Sequence, residues 1–282
     1  MSSLDDAINE SIKSDEMTEK EVDFIDLQTI TFNTNSVVYT LLGKTDIIFN
    51  AMSAKTKSNT LFPKAKTNNA DRRSEVRHFP LEEFVESAYR AEKKLNFPTL
   101  IYMPGSAFRK AICTAALDIK GITKTQVQRL CWINETDIPI YGIPELRMDV
   151  VKQAGVGKAP DIRTRATIRE WCCHLTITYD SSFISNSSIN ELIHRAGISI
   201  GIGDYRQEKG AGSYGQFMAV AYDDPTVEEI KKTGGRRAQR QAFKTPEFYN
   251  SETEALFNQW KEDYKIWSAG RKKREEELKG KE

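Results

Sequence analysis

Apolar positions along the chain change their spacing several times, and each change marks an element. Within residues 27–49, β-branched and aromatic residues gather in two groups around an Asn-Thr-Asn turn. Ile30, Thr31 and Phe32 precede the turn and Val37, Val38, Tyr39 and Leu41 follow it, which predicts strands. Residues 53–77 are polar and without period, and read as a long basic loop. Over 81–95 the spacing becomes helical (Leu81, Phe84, Val85, Ala88, Ala91, Leu95), ahead of a strand at 99–103. Pro104-Gly105-Ser106 ends that strand. Ser106 is placed to cap a helix whose inward face is Phe108, Ile112, Ala115, Ala116 and Ile119.

Further along, residues 131–143 predict one or two short strands. Residues 147–169, polar and interrupted by Gly155, Gly157 and Pro160, predict an extended hairpin or a flexible loop. Alternation at 171–179 marks another strand, and Ser187-Ser188 opens a short amphipathic helix to about residue 196. Residues 201–215 hold five glycines and lead into an apolar strand at 216–222. Beyond 223 the chain is highly charged and reads as helical. There Phe248, Leu256, Phe257, Trp260, Tyr264 and Trp267 give a sticky face, which either folds back on its own domain or docks on a neighbouring subunit. Gly234-Gly235-Arg236-Arg237 with Arg240 reads as a basic hinge before it. The predicted organisation is an acidic, flexible segment at 1–26, a domain at 27–222 with basic insertions at about 53–77 and 147–169, and a charged helical extension at 223–282.

Charge changes this picture only through its distribution. The total is +1, from 41 Lys and Arg against 40 Asp and Glu, but residues 2–26 are mostly acidic while 55–77 and 147–169 are mostly basic. A neutral total therefore conceals a candidate basic face, although solvated loops give the same pattern. With 282 residues the chain can bury a core without disulfides or metals. Cys113, Cys131, Cys172 and Cys173 sit in apolar or amphipathic segments and read as reduced core residues. They form no pair of CxxC hooks, and with only His78, His174 and His194 present no metal site or cofactor is expected. No apolar run is long enough to span a membrane and no secretory leader is legible, so the expected location is cytoplasmic.

The glycine-rich segment is the most distinctive chemistry. It lacks the Gly-Lys-Ser/Thr of a Walker loop and does not open a helix after a strand, as a dinucleotide fingerprint must. Tyr205, Arg206, Lys209 and Tyr214 add two cations and two stacking faces to its backbone donors, a combination that grips phosphates and unstacked bases. A tight turn between helix and strand is the plainer reading, and it needs fewer glycines.

The run Tyr102-Met-Pro-Gly-Ser-Ala-Phe-Arg-Lys-Ala-Ile-Cys-Thr-Ala-Ala116 resembles the strand-turn-helix hallmark of the RAMP superfamily, which includes the backbone subunits of CRISPR effector complexes. The glycine-rich loop before a final strand, about a hundred residues downstream, resembles its second hallmark. The likeness covers roughly residues 27–222 and extends to proteins of bacteriophage genomes, in which case the location is the host cytoplasm. It implies an α+β, ferredoxin-like (RRM-like) antiparallel sheet with helices on one face, an inserted basic thumb-like hairpin and the helical C-terminal extension. It also implies subunits that stack as homo-oligomers or filaments along single-stranded RNA or DNA. By position Ser106, Arg109 and Lys110 match the motif residues near the phosphate path, and Lys152, Lys158, Arg163, Arg165 and Arg169 fall where a thumb would contact phosphates. The chain departs from the motif at Phe108-Arg109, where a Leu-Lys pair is usual, and in its long tail.

Some relatives of this type cut RNA without metal. His78, beside Arg72, Arg73 and Arg77, is the candidate general acid here, and reads equally as a solvated loop residue. Asp149 and Asp161 have no supporting motif as catalytic aspartates. The sequence is read as a binding protein for single-stranded nucleic acid, RNA first, rather than as an enzyme. A metal-independent endoribonuclease and a self-assembling scaffold are the alternatives.

Overall fold

Alternation in β1 (Thr34–Gly43) turns Tyr39 and Leu41 inward and leaves Val38 exposed, as a half-buried strand requires. β1 lies between β8 (Cys172–Asp180) and β9 (Phe217–Val220), and β8 also pairs with β4 (Cys131–Ile133). The resulting four-stranded sheet has the order β4-β8-β1-β9, with every pair antiparallel. α3 (Gly105–Ala115) and α5 (Asn186–Arg195) cover its inner face, where Phe108, Ile112, Ile189 and Ile193 join Leu41, Leu175, Ile177 and Phe217 in the core. The computed structural model describes residues 33–62, 78–152, 160–209 and 212–279; the expected acidic segment at 1–26 and most of the basic loop lie outside them.

The expected insertion at 147–169 is a regular hairpin. β6 (Pro144–Lys152) and β7 (Pro160–Ile168) pair from Pro144–Ile168 to Lys152–Pro160, and β2 (Ile47–Ile48) adds a third strand. A smaller pair joins β3 (Tyr102–Pro104) to β5 (Asp137–Pro139). The architecture is thus α+β, with antiparallel sheets, helices packed on one face of the largest, and further helices at the C-terminal end.

Several boundaries differ from the sequence reading, each for a local reason. Residues expected as loop at 53–62 include α1 (Ala54–Leu61), capped by the Ser53 side chain on the Thr56 amide. The helix expected over 81–95 stops early: α2 (Pro80–Ser87) ends because Ala88 is extended and Arg90 bridges Ile101. α3 begins at Gly105 with Pro104 as its N-cap, so Ser106 lies inside the first turn and caps nothing. α4 (Lys124–Leu130) was not foreseen, although its capping box of Thr123 and Gln126 stands in the sequence. α5 is capped by Ser185 rather than by the serines that follow.

The C-terminal segment is three helices, α6 (Pro225–Thr233), α7 (Arg236–Lys244) and α8 (Ser251–Lys279). α8 folds back on β6, and Leu256 and Phe257 pack against the core. Its aromatic face forms a ladder: Phe257–Trp260, Trp260–Tyr264 and Tyr264–Trp267 ring centroids lie 5.7, 5.2 and 5.7 Å apart. The basic stretch at 234–240 is no hinge. A Cβ at Gly234 would meet the Gly142 amide nitrogen at 2.3 Å, so only glycine fits. Fully buried Gln239 accepts from the Leu100 and Ile101 amides at 2.8 and 2.9 Å and donates to the carbonyls of Ile140, Gly142 and Gly234.

The four cysteines are buried free thiols, and burial pushes Cys131 and Cys172 up to about 12. Cys172 and Cys173 face opposite sides of β8, the first against Val227 and Ile230 of α6, the second in the main core. Among the described residues no helix is long and apolar enough to cross a membrane.

Gln239→Ala strands two buried amides and the carbonyls of Ile140 and Gly142, while the Gly234 carbonyl keeps the Gly142 amide, at about 1–3 kcal/mol for each group left unpaired. The expected loss is at least about 3 kcal/mol, read as a lower urea midpoint at unchanged slope. A loss below about 1 kcal/mol would mean that Gln239 does not anchor α7.

Candidate nucleic-acid interface

Two segments a hundred residues apart in sequence meet at the start of α3. Gly105 lets a third segment pack against that start: its amide donates to the Thr136 carbonyl at 2.8 Å, and a Cβ there would sit 2.0 Å from the Glu135 carbonyl oxygen. No side chain caps α3 and no acid occupies its first turn, so the positive end of the helix faces outward. A cleft of about 280 Å³ lies between this end and the glycine-rich loop, lined among others by Ser106, Lys110, Gly201, Gly203, Arg206 and Glu208. A second hollow of about 390 Å³ flanks the other side of Ser106, with Arg109, Tyr102, Glu135 and Asp137 on its walls. Ser106, Arg109 and Lys110 are exposed. Arg109 donates to the Gln128 carbonyl at 2.7 Å, and neither it nor Lys110 has a carboxylate partner among the described residues.

The described glycines of the loop serve close backbone packing, as the plainer reading of a tight turn requires. Gly201, Gly203 and Gly215 have φ of 71°, 82° and 69°. A Cβ on Gly215 would lie 1.7 Å from the Ile202 carbonyl oxygen, and one on Gly203 would lie 2.6 Å from that of Ile48. Backbone donors expected to be free are engaged: Ile202 donates to Gly215, Asp204 to Ile48 and Gly215 to Asp46. Arg206 holds the Gly203 carbonyl and pairs with Glu208 at 2.9 Å, while Lys209 is exposed, 4.0 Å from the same carboxylate.

Two of the five hairpin cations expected as phosphate contacts, Arg165 and Arg169, are paired with acids of the fold. Arg165, with 3% of its side chain exposed, reaches Asp149 at 2.8 Å and Asp204 at 2.5 Å and lies over the Tyr205 ring. Arg169 pairs with Glu145 at 2.9 Å, bonds the Tyr249 carbonyl and stacks on the Tyr249 ring. Lys152 and Arg163 are exposed on the hairpin, and Lys158 lies outside the described residues. Arg147 sits between the Tyr214 and Tyr249 rings, 4.7 and 4.6 Å from their centroids, and pairs with Asp149 at 2.9 Å. Tyr205 and Tyr214, expected to stack bases, are thus each met by an arginine. Tyr249 and the ring contacts of Arg147 escaped the sequence reading because their partners lie on other elements, the strand spacing of Arg147 and Asp149 being the local hint; Glu208 was missed although Arg206 and Lys209 stand beside it in the loop.

His78 is held rather than free. Its Nδ1 lies 3.1 Å from Glu83 of α2 and its Nε2 3.2 Å from Asp161 of β7, while Trp260 donates to its carbonyl at 3.0 Å. The Glu83 hydrogen bond raises its pKa above the usual 6.5, against the opposing effect of burial, with the Glu83 and Asp161 charges adding to the rise. His174 bonds Thr40 and packs on the Tyr222 ring, and His194 lies in the last turn of α5.

No protein-family model and no curated protein sequence matches the chain. Among solved structures, the chain is distantly similar to the crystal structure of Cmr6 from Pyrococcus furiosus, at 10% identity and a TM-score of 0.33. That match covers 67% of this chain and all of the other. So loose a superposition carries no argument about fold or function.

Arg165→Met leaves Asp204 without its cation and Asp149 with Arg147 alone, at a cost of about 3 kcal/mol. Faster tryptic cleavage after Arg206 and Lys209 is expected beside the lower urea midpoint, because the loop loses its tie to the hairpin. For His78, the folded pKa is the higher one, so its contribution is complete below the ordinary 6.5 and disappears as pH rises through the folded value. The stability difference between wild type and His78→Gln should therefore shrink from about pH 5.5 to about pH 8.5 in matched urea titrations. A difference that grows with pH would contradict the clamp.

Proposed function

We propose that this chain is a scaffold subunit that associates with single-stranded nucleic acid and does no chemistry on it, seating phosphate between the start of α3 and the turn at 201–203. The observation that carries this reading is the shared cleft. Ser106 and Lys110 face it from one motif and Arg206 from the other, at the uncapped positive end of a helix. Arg109 extends the positive surface into the neighbouring hollow. The ferredoxin-like reading of the sheet is supported by its connectivity: β1-α3-β4 followed by β8-α5-β9, in the order β4-β8-β1-β9, is the β-α-β-β-α-β pattern of such domains. On that reading the hairpin at 144–168 is the thumb-like insertion of a RAMP relative, and copies of the chain stack along their ligand.

A second reading, a scaffold that assembles without nucleic acid, is favoured by the internal pairing of Arg165, Arg169 and Arg206. The uncharged side chains of Val38, Met218 and Tyr222, exposed around the four-stranded sheet, favour it as well. The nuclease reading has less support, since both ring nitrogens of His78 are taken by carboxylates.

Fluorescence anisotropy with labelled single-stranded RNA, single-stranded DNA and duplex DNA at two salt concentrations tests the proposal. Single strands are expected to bind, more weakly at the higher salt. Arg109→Ala with Lys110→Ala is expected to cost about tenfold or more in affinity. Wild-type protein that binds no strand at low salt, yet forms oligomers resistant to nuclease and high salt, would establish the second reading instead.

A further inference from the structure

Arg165, Arg169 and Arg206 are paired with acids within the fold, whereas the outer cations of α7 are not. α7 carries Arg236, Arg237, Arg240 and Lys244 and no carboxylate. Arg237, Arg240 and Lys244 recur at three- and four-residue spacing, so they share one face and span roughly 10 Å at the usual helical rise. All three are exposed, and among the described residues none lies within ion-pair distance of an acid. At the start of the helix, Lys232, Arg236, Arg237 and Gln241 line a hollow of about 660 Å³ that contains no carboxylate and no large apolar side chain.

This arrangement runs against local electrostatics. The first turn of α7 holds two arginines and no acid, so positive side chains crowd the positive end of the helix, and no side chain caps it. Arg236 turns inward to carbonyl oxygens, but Arg237 stands at this positive end with no acid partner among the described residues, a conflict that an external anion would offset. The helix is also fixed in place. Gln239 ties it to β3 and β5 surroundings, Arg236 donates to the Thr99 and Ala91 carbonyls at 2.9 and 3.0 Å, and Phe243 packs on Phe84 at 5.0 Å. Its outer cations are therefore presented on a rigid frame.

We infer that the outer face of α7, together with Lys232, is a second track for the phosphodiester backbone of a single strand. This rests on the nucleic-acid reading above and adds a place to it. Guanidinium forks match phosphate oxygens two at a time, and the face offers no apolar anchor for a peptide or a lipid surface.

The test compares wild type, the triple variant Arg237→Gln/Arg240→Gln/Lys244→Gln and the pair Arg109→Ala/Lys110→Ala, all as full chains whose melting is checked first. Affinity for labelled single-stranded RNA is measured across salt, with poly-glutamate of equal charge as competitor. The triple variant is expected to flatten the log–log salt slope by about two, and poly-glutamate is expected to compete poorly. A triple variant with the wild-type slope, beside a cleft pair that loses binding, overturns the α7 track and leaves the cleft standing. Loss in the triple variant alone keeps the track and removes the cleft. Poly-glutamate that competes as well as RNA assigns α7 to an acidic polypeptide and overturns the inference, and a wild type that binds no RNA overturns both.

Discussion

Arg165 ties together the parts on which the candidate site depends. It emerges from the middle of β7, is almost wholly buried, and ends between Asp149 of β6 and Asp204 of the glycine-rich loop, with the Tyr205 ring beneath it. A guanidinium taken out of water is stable only with such partners, because desolvation costs several kcal/mol per ion. Hairpin and loop are therefore held as one unit. Arg147 repeats the device a strand away, linking Asp149 to the Tyr214 ring of the loop and to Tyr249, whose hydroxyl reaches Asp46 at 2.7 Å. Through these contacts the loop is fixed opposite the start of α3, and the cleft has a defined width.

The same economy decides which charges are left for a partner. Cations close to acids on a neighbouring strand or in the same loop are absorbed by them, as with Arg169 and Glu145 or Arg206 and Glu208. Cations on an outward helical face, Arg109 and Lys110 of α3 or Arg237, Arg240 and Lys244 of α7, have no ion-pair partner among the described residues. A net charge of +1 is thus compatible with local surfaces of one sign. The His78 clamp belongs to the absorbed class: it fastens α2 to β7 where Trp260 and Tyr264 of α8 close over it, Tyr264 meeting Phe79 edge-on at 6.3 Å.

Much of this was legible in the chain, for reasons of period and local chemistry. The strand alternation at β1 and β8 and the helical spacing of α3 follow from side-chain periodicity, whereas the turn residues at 155–160 left residues 147–169 open between a hairpin and a flexible loop. The breaking power of Pro104-Gly105 was legible as well, because strand-to-helix turns are local. The meeting of the α3 start with the glycine-rich loop was expected only from a family resemblance; the tertiary structure places them around one cleft. Missed elements had weak local signals: α4 rests on one capping box, and α1 on a cap in an otherwise polar stretch.

What only the tertiary structure decided was the fate of each charge and each glycine. Sequence gives the sign of Arg165 and Arg237 alike, but burial and the distance to an acid are properties of strands and helices brought together from far along the chain. For that reason Arg165, read as a phosphate contact, is an internal tie, and Arg237 and Arg240, read as part of a hinge, are exposed. The glycines likewise looked like an opening for a ligand. Their space is filled by the carbonyls of Ile48 and Ile202, since close backbone approach inside a fold demands the same residue as close approach to a phosphate.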